Sequence, residues 1–253
     1  MIWFVGAGSG AVDLITVRGQ RLLGEADVII YAGSLVNPEL LDYAKAGCIR
    51  LDSATMTLEE VIDAMTAAEK NGRTTVRLHS GDPALFGAIR EQMDVLRTRS
   101  IPFSVVPGVS SFSAAAAALQ AEYTLPGVSQ TVVITRLAGK TPVPEKERLS
   151  ALASHGSSMA VFLSSGMLAE VQAELLAGAY VPDTPAAIVY KASWPDELAL
   201  PCTVGTLAET GERHGICKTA LVLVGDFLGD SYERSKLYDP SFSTGLRKAK
   251  HAD

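Results

Sequence analysis

Short apolar runs recur along this chain, and most lead at once into a cluster of Gly, Ser, Pro or Asp and then into a segment with helical spacing. No other feature limits the fold so strongly. Strands separated by helices cannot pair as tight hairpins, so successive strands run parallel, with helices laid over the sheet. The pattern predicts strands at residues 1–5, 27–31, 48–51, 76–79 and 103–106. Helices are expected at 13–25, at 38–43 after Pro38, from Leu58 under a Thr57 cap to Asn71-Gly72, and after Gly81. A last one, rich in alanine, runs from Ser110 or Ser111 to about Gln120. A connector over 123–129 precedes a second alternating series: strands at 131–135, 159–163, 186–190, 198–204 and 220–224, and helices at 145–154, 166–178 and 207–214. Beyond Gly229 the pattern dissolves. The expected architecture is two α/β domains, residues 1–120 and 121–230, followed by a mobile tail at 231–253.

Composition narrows the possible partners. With 47% apolar residues, the chain can bury a sizeable core, and a net charge of −6 gives no footprint for nucleic acid. No apolar run reaches the length of a membrane span, and Met1–Val5, short and without a basic region before it, is not expected to be a signal sequence. Cys48, Cys202 and Cys217 are widely spaced and odd in number, which suits reduced thiols in the cytoplasm. His79, His155, His214 and His251 have no metal-ligand spacing, so no protein-made metal site is expected.

Three strand–turn–helix junctions draw attention. Residues 76–87, VRLHSGDPALFG, read as a strand, a glycine turn and a helix start, with Asp82 as the N-cap and Pro83 at the first helical position. Phe86, Ile89, Met93 and Leu96 would share that helix's buried face. Arg77 and His79 fall on one face of the strand, where a central parallel strand is normally apolar. They read equally well as a buried pair or as ligand contacts. Residues 6–11, GAGSGA, fit the dinucleotide-binding glycine pattern. The acid that should end the second strand is missing, since Asp27 stands at its start. Residues 107–111, PGVSS, form the third junction. In the second half, two loops after strands carry charge: 136–144 with Arg136 and Lys140, and 191–197 with Lys191 and Trp194. A Trp beside cationic groups suits a large, flat, anionic ligand.

These stretches resemble a known family. Val5-Gly6-Ala7-Gly8-Ser9-Gly10 with Asp13-Leu14-Ile15-Thr16, Gly81-Asp82-Pro83 and Val106-Pro107-Gly108-Val109-Ser110-Ser111 are similar to signatures of the tetrapyrrole methyltransferases of cobalamin and sirohaem synthesis, which use S-adenosylmethionine (SAM). The likeness runs from Met1 to about Gly229. Residues 135–145, 162–165 and 189–197 look like one branch, which methylates carbon 11 of precorrin-4 or cobalt-precorrin-4. The resemblance implies a mainly parallel first sheet, a mixed second sheet, a ligand cleft between the domains, and a homodimer. It implies SAM contacts at Ser9, Ser80, Gly81, Asp82, Leu85, Ser110, Ser111, Leu163, Ala192, Thr219 and Ala220, with S-adenosylhomocysteine as product. Where the family usually has Gly-Pro-Gly-Asp, this chain has Gly8-Ser9-Gly10-Ala11, so that loop is expected to face the macrocycle more than SAM.

Methyl transfer from a sulfonium needs positioning rather than a covalent nucleophile. His79 and Asp82 are the candidates to assist proton loss from the macrocycle. Arg77, Arg136, Lys140, Lys191 and Trp194 are the candidates to meet the substrate, whose carboxylates favour charge-assisted hydrogen bonds. Competing readings are another tetrapyrrole methylase (acting on uroporphyrinogen III or another precorrin), a nicotinamide-dependent dehydrogenase using residues 6–11, and a tetrapyrrole-binding module.

Overall fold

The structure is a computed structural model and describes residues 1–249; the last four residues, His251 and the end of the expected tail among them, lie outside the described residues. Two compact units emerge: Met1–Ala115 together with Lys191–Glu197, and Ala116–Tyr190 together with the chain from Leu198 onward. The 191–197 loop thus belongs to the first unit, although strands of the second flank it in sequence.

The first unit holds β1 (Ile2–Gly6), α1 (Val17–Glu25), β2 (Val28–Tyr31), β3 (Ile49–Asp52), α2 (Leu58–Lys70), β4 (Thr75–His79), α3 (Ile89–Thr98), β5 (Phe103–Val106) and the start of α4 (Ser111–Ala118). Its strands form one sheet in the order β3-β2-β4-β1-β5, every neighbouring pair parallel. The period-two pattern sorts the faces. Val5, Ile29, Val76, Leu78 and Val106 pack with Leu22 and Leu23 of α1 on one side, while Ile2, Phe4, Val28 and Ile30 pack with Val61, Ile62 and Met65 of α2 and Leu96 of α3 on the other. Chain order reverses between β1, whose connection runs toward β2, and β4, whose connection runs toward β5. A crevice at the carboxyl ends of these two strands is where open α/β sheets take their ligands.

The second unit holds β6 (Val132–Arg136), α5 (Leu149–Ala153), β7 (Ser158–Phe162), α6 (Leu168–Leu176), β8 (Pro185–Tyr190), β9 (Leu198–Thr203), α7 (Leu207–Arg213) and β10 (Ala220–Val224). Its sheet is mixed, in the order β6-β7-β10-β8-β9: β6 and β7 are parallel, and the remaining pairs antiparallel. Val161, Ile188 and Val222 share a core with Val171 and Leu175 of α6 and Leu207 of α7. The described part of the tail, 231–249, contains a 3-10 turn at Lys236–Tyr238, with Arg247 donating to the carbonyls of Leu237, Asp239 and Phe242.

Several expected helices begin later than the sequence suggests. The one expected at residue 13 starts at Val17, because Thr16 is extended and its hydroxyl accepts from the Gly19 amide. The one expected over 145–154 is a 3-10 turn at Glu145–Glu147 and a separate α5, split at the extended Arg148. The largest correction concerns Asp82. It caps no helix. Residues 83–86 form turns, Phe86 and Ala88 adopt left-handed backbone with φ of 55° and 49°, and α3 starts only at Ile89. Phe86 therefore lies outside the helix and is 45% exposed. By contrast, Thr57 caps α2 in a full capping box with Glu60.

Candidate active site

Three loops leave the same edge of the first sheet, after β1, β4 and β5, and they meet backbone to backbone. The Gly81 amide donates to the Gly8 carbonyl at 2.7 Å, and the Gly8 amide returns a bond to the Gly81 carbonyl at 3.3 Å. Gly81 has φ +60°, which disfavours a side chain. A Cβ on Gly108 would fall 2.2 Å from the Gly81 carbonyl oxygen and 2.7 Å from Gly6 Cα, so this junction accepts only bare backbone. Asp82 locks it. One carboxylate oxygen accepts from the Ala84 amide at 2.8 Å, the other from the Gly108 amide at 2.9 Å. Ser110 is buried and precedes α4, and Ser111 opens that helix.

Arg77 and His79 project to the α2–α3 side of the sheet. The Arg77 guanidinium is buried, donating to Gln92 Oε1 at 3.3 Å and to the Ile30 carbonyl at 3.2 Å. It has no carboxylate partner among the described residues, and burial lowers its pKa to about 10. It borders a cavity of about 160 Å³ shared with Ser53, Thr57, Glu91 and Gln92. His79 is 4% exposed and stacks on Phe4 with centroids 6.1 Å apart. Its Nε2 has no hydrogen-bond partner among the described residues, and burial, with the nearby Arg77 charge, pushes its pKa down to about 3. The imidazole is therefore neutral and inside the core at physiological pH. That position suits packing beneath the site better than proton exchange above it.

Loop 191–197 closes over the second half of the first glycine loop. Trp194 Nε1 donates to the Ser9 carbonyl at 3.0 Å. The Ser193 hydroxyl lies 2.8 Å from Ser9 Oγ and accepts from the Ala11 amide at 3.0 Å. Asn37 Nδ2 donates to the Gly10 carbonyl at 2.9 Å. Lys191 pairs with Asp196 at 2.6 Å and stands 5.5 Å from the Trp194 ring centroid. The expectation that Trp194 offers an open platform for a flat ligand meets an indole already committed to the loop beside it. Ala192 is buried.

In the second unit the loops after β6 and β7 are joined by Ser164, which is fully buried. Its hydroxyl accepts from the Leu137 amide at 2.9 Å and donates to the Phe162 carbonyl at 2.7 Å. Arg136 donates to the carbonyls of Leu137, Thr141 and Pro142, so its guanidinium shapes its own loop. Lys140 is exposed. Leu163, just past β7, and Thr219, just before β10, both take left-handed backbone, with φ of 54° and 55°. For a β-branched residue such as Thr219 that is a genuine outlier, and strain of this kind gathers at functional sites. Lys191 and Ser193 are strained likewise, with φ of 45° and 68°.

Sequence reasoning found the three glycine junctions and named Asp82, but not Asn37 and Ser193, which hold the first junction from 27 and 182 positions away, nor Ser164, which acts on backbone 27 positions away in the second unit. Among the described residues, no three His, Cys, Asp or Glu side chains gather as a metal site, and no helix is long and apolar enough to cross a membrane.

Comparison with known proteins identifies the family of the whole chain. Residues 1–208 match the family model for tetrapyrrole (corrin/porphyrin) methylases. The chain is 51% identical to a cobalt-precorrin-4 C(11)-methyltransferase of Methanocaldococcus jannaschii, over 97% of this chain and 95% of that one. It is 44% identical to a precorrin-4 C(11)-methyltransferase of a Sinorhizobium species, over 97% and 98%. Among solved structures, a cobalt-precorrin-4 methyltransferase of cobalamin biosynthesis superposes with a TM-score of 0.89 at 45% identity, covering 90% of this chain and 96% of that one. A parallel sheet edged with bare glycine backbone, a mixed second sheet and near-full-length identity agree: the chain belongs to the tetrapyrrole methylases.

Proposed function

We propose that this protein transfers a methyl group from SAM to carbon 11 of precorrin-4, as the free macrocycle or its cobalt complex. The observation that carries the reading is the 51% and 44% identity, over nearly the whole chain, to relatives named for that reaction. Bound SAM supplies an electrophilic methyl and, in its sulfur, the leaving group. The protein's task is then to hold donor and acceptor at attack distance.

The residues of the first unit fit such a donor. SAM presents an amino-acid head, ribose hydroxyls and an adenine, all of which seek backbone amides, carbonyls and hydroxyls. The edge built by Ser80, Gly81, Asp82, Leu85, Ser110 and Ser111 offers those groups, and Gly81 has no side chain to keep the ligand away from its backbone. Ser9, whose carbonyl and hydroxyl are taken by Trp194 and Ser193, and Ala192, which is buried, are left out of the donor contacts, and the loop at residues 9–11 is assigned to the macrocycle. In the second unit, the left-handed backbone at Leu163 and Thr219 supports them, with Ala220, as donor contacts. Lys140 is the exposed cation proposed to meet a substrate carboxylate, and Lys191 adds its charge beside Asp196. Arg77 and Arg136 are assigned to holding the protein, since both guanidinium groups are engaged by it. Asp82 and His79 position the site, and water takes the proton that the macrocycle loses. Under this reading the protein works in the cytoplasm as a homodimer, with Cys48, Cys202 and Cys217 as thiols.

Incubation with methyl-labelled SAM and precorrin-4, with and without cobalt, tests the assignment by NMR. A new methyl resonance at carbon 11 is expected, and the arm that turns over faster identifies the natural form. A methyl at another carbon overturns the assignment. Asp82→Ala should weaken SAM binding and turnover by tenfold or more; if both survive intact, the site is elsewhere.

A further inference from the structure

We propose that Trp194 and Ser193 are positioning residues that hold residues 9–11 in place for the tetrapyrrole, so that loop 191–197 governs acceptor binding without needing to touch the donor. The proposal deepens the functional reading above and rests on it for the identity of the acceptor.

The first glycine loop is held by two separate sets of bonds. Its first half, residues 6–8, is fixed by the paired amides of Gly8 and Gly81, by the Ala7 amide on the His79 carbonyl, and by the close approach of Gly108. None of these involves loop 191–197. Its second half, residues 9–11, is held from outside the strand by Trp194 Nε1 on the Ser9 carbonyl, by Ser193 on Ser9 Oγ and the Ala11 amide, and by Asn37 on the Gly10 carbonyl. The packing is as close as chemistry permits. A Cβ on Gly10 would fall 2.0 Å from Trp194 Cδ1 and 2.3 Å from Nε1. The indole fills the place where any other residue would carry its side chain.

The clasp is itself built with care. Ser193 keeps its left-handed backbone, φ 68°, while its amide donates to the Glu197 carboxylate. The Trp194 amide donates to the Lys191 carbonyl, and Lys191 pairs with Asp196 beside the ring. Strained backbone at two of these positions, Lys191 and Ser193, is the mark of a local structure held in one conformation by its surroundings. Trp194 has spent its polar group on Ser9, so its contribution to the reaction passes through the loop it holds.

The donor junction of Gly6, Gly81 and Gly108 makes no bond to the clasp, whereas residues 9–11 are held by it together with Asn37. Loosening the clasp should therefore raise the Michaelis constant for the tetrapyrrole and leave SAM affinity unchanged. The test combines three variants. Trp194→Phe keeps the ring but loses the bond to Ser9 and should raise that constant about three- to tenfold, the usual worth of one hydrogen bond. Gly10→Ala should raise it more, because its methyl group collides with the indole. Gly10→Ala combined with Trp194→Ala should be no worse than Trp194→Ala alone, since the collision is gone. Hydrogen exchange gives a readout independent of catalysis: Ser193→Ala should speed exchange at Ala11 while Gly8 and Gly81 stay protected. SAM affinity, measured by calorimetry, should move less than threefold throughout. Losses that multiply in the double variant, an Ala11 amide unmoved by Ser193→Ala, or SAM affinity falling in step with the tetrapyrrole, would each overturn the proposal. Altered exchange in a protein that methylates another acceptor would instead strike the functional reading and leave the clasp standing.

Discussion

At the centre of the first sheet, β4 carries Thr75, Arg77 and His79 into the layer beneath, all buried; at the centre of the second, β10 is Ala-Leu-Val-Leu-Val. Each sheet also ties together loops that leave one edge. In the first, the Asp82 carboxylate reaches the Gly108 amide; in the second, the Ser164 hydroxyl reaches the Leu137 amide. The same problem has a charged solution in one unit and a neutral one in the other. Among the described residues, the second unit buries no Asp, Glu, Lys, Arg or His. Its stability comes from apolar contact. The first unit accepts two costly buried bases in its core and a junction where only backbone fits.

That contrast can be broken in order of effect. Gly108→Ala should be the most damaging single change, about 3 kcal/mol or more, because the added methyl meets backbone on every side and nothing flexible can yield. Gly245→Ala in the second unit, where nothing among the described residues lies within 4 Å, should change stability by less than about 0.5 kcal/mol. Denaturant titration of both variants checks the pair, and equal losses would erase the distinction.

Next come the two cores. Ile188→Ala removes a fully buried side chain and should cost about 2–5 kcal/mol. Arg77→Met removes a buried charge that has no carboxylate partner among the described residues, and replacing such a charge by an apolar group of similar length often costs little, here under about 1.5 kcal/mol. A larger loss at Arg77 than at Ile188 would show that the guanidinium is a structural anchor rather than a tolerated burden.

The last effect depends on pH. The folded-state pKa of His79 is about 3, below the ordinary 6.5, so the folded protein binds fewer protons than the unfolded chain between those values. Its contribution to stability is fully present above about pH 6.5 and is lost as pH falls toward 3. Between pH 7 and pH 5 the wild type should lose about 2 kcal/mol more than His79→Gln. Parallel urea titrations at the two pH values decide it; identical slopes would place the acid sensitivity elsewhere.

Much of the architecture was legible in the sequence, because alternation of apolar runs and helical spacing is a local property. The strands were found to within a residue or two, and the capping box at Thr57 was written in its own neighbours. What failed was also local in appearance but distant in cause. Asp82-Pro83 has the composition of a helix start, yet the carboxylate is drawn to Gly108, 26 residues on, and left-handed backbone at Phe86 and Ala88 delays the helix to Ile89. Trp194 looked like a free aromatic surface because the loop it covers lies 185 positions earlier. Residue type told which positions could do chemistry, and only the folded chain told which were already occupied.

The indole on Ser9 has one more use. The chain has only two tryptophans, Trp3 within β1 and Trp194 in the clasp. Replacing Trp3 by phenylalanine would leave a single native fluorophore hydrogen-bonded to the glycine loop. Its emission wavelength and anisotropy would then gauge the order of that loop in solution, in real time and without a label, as each ligand is added in turn.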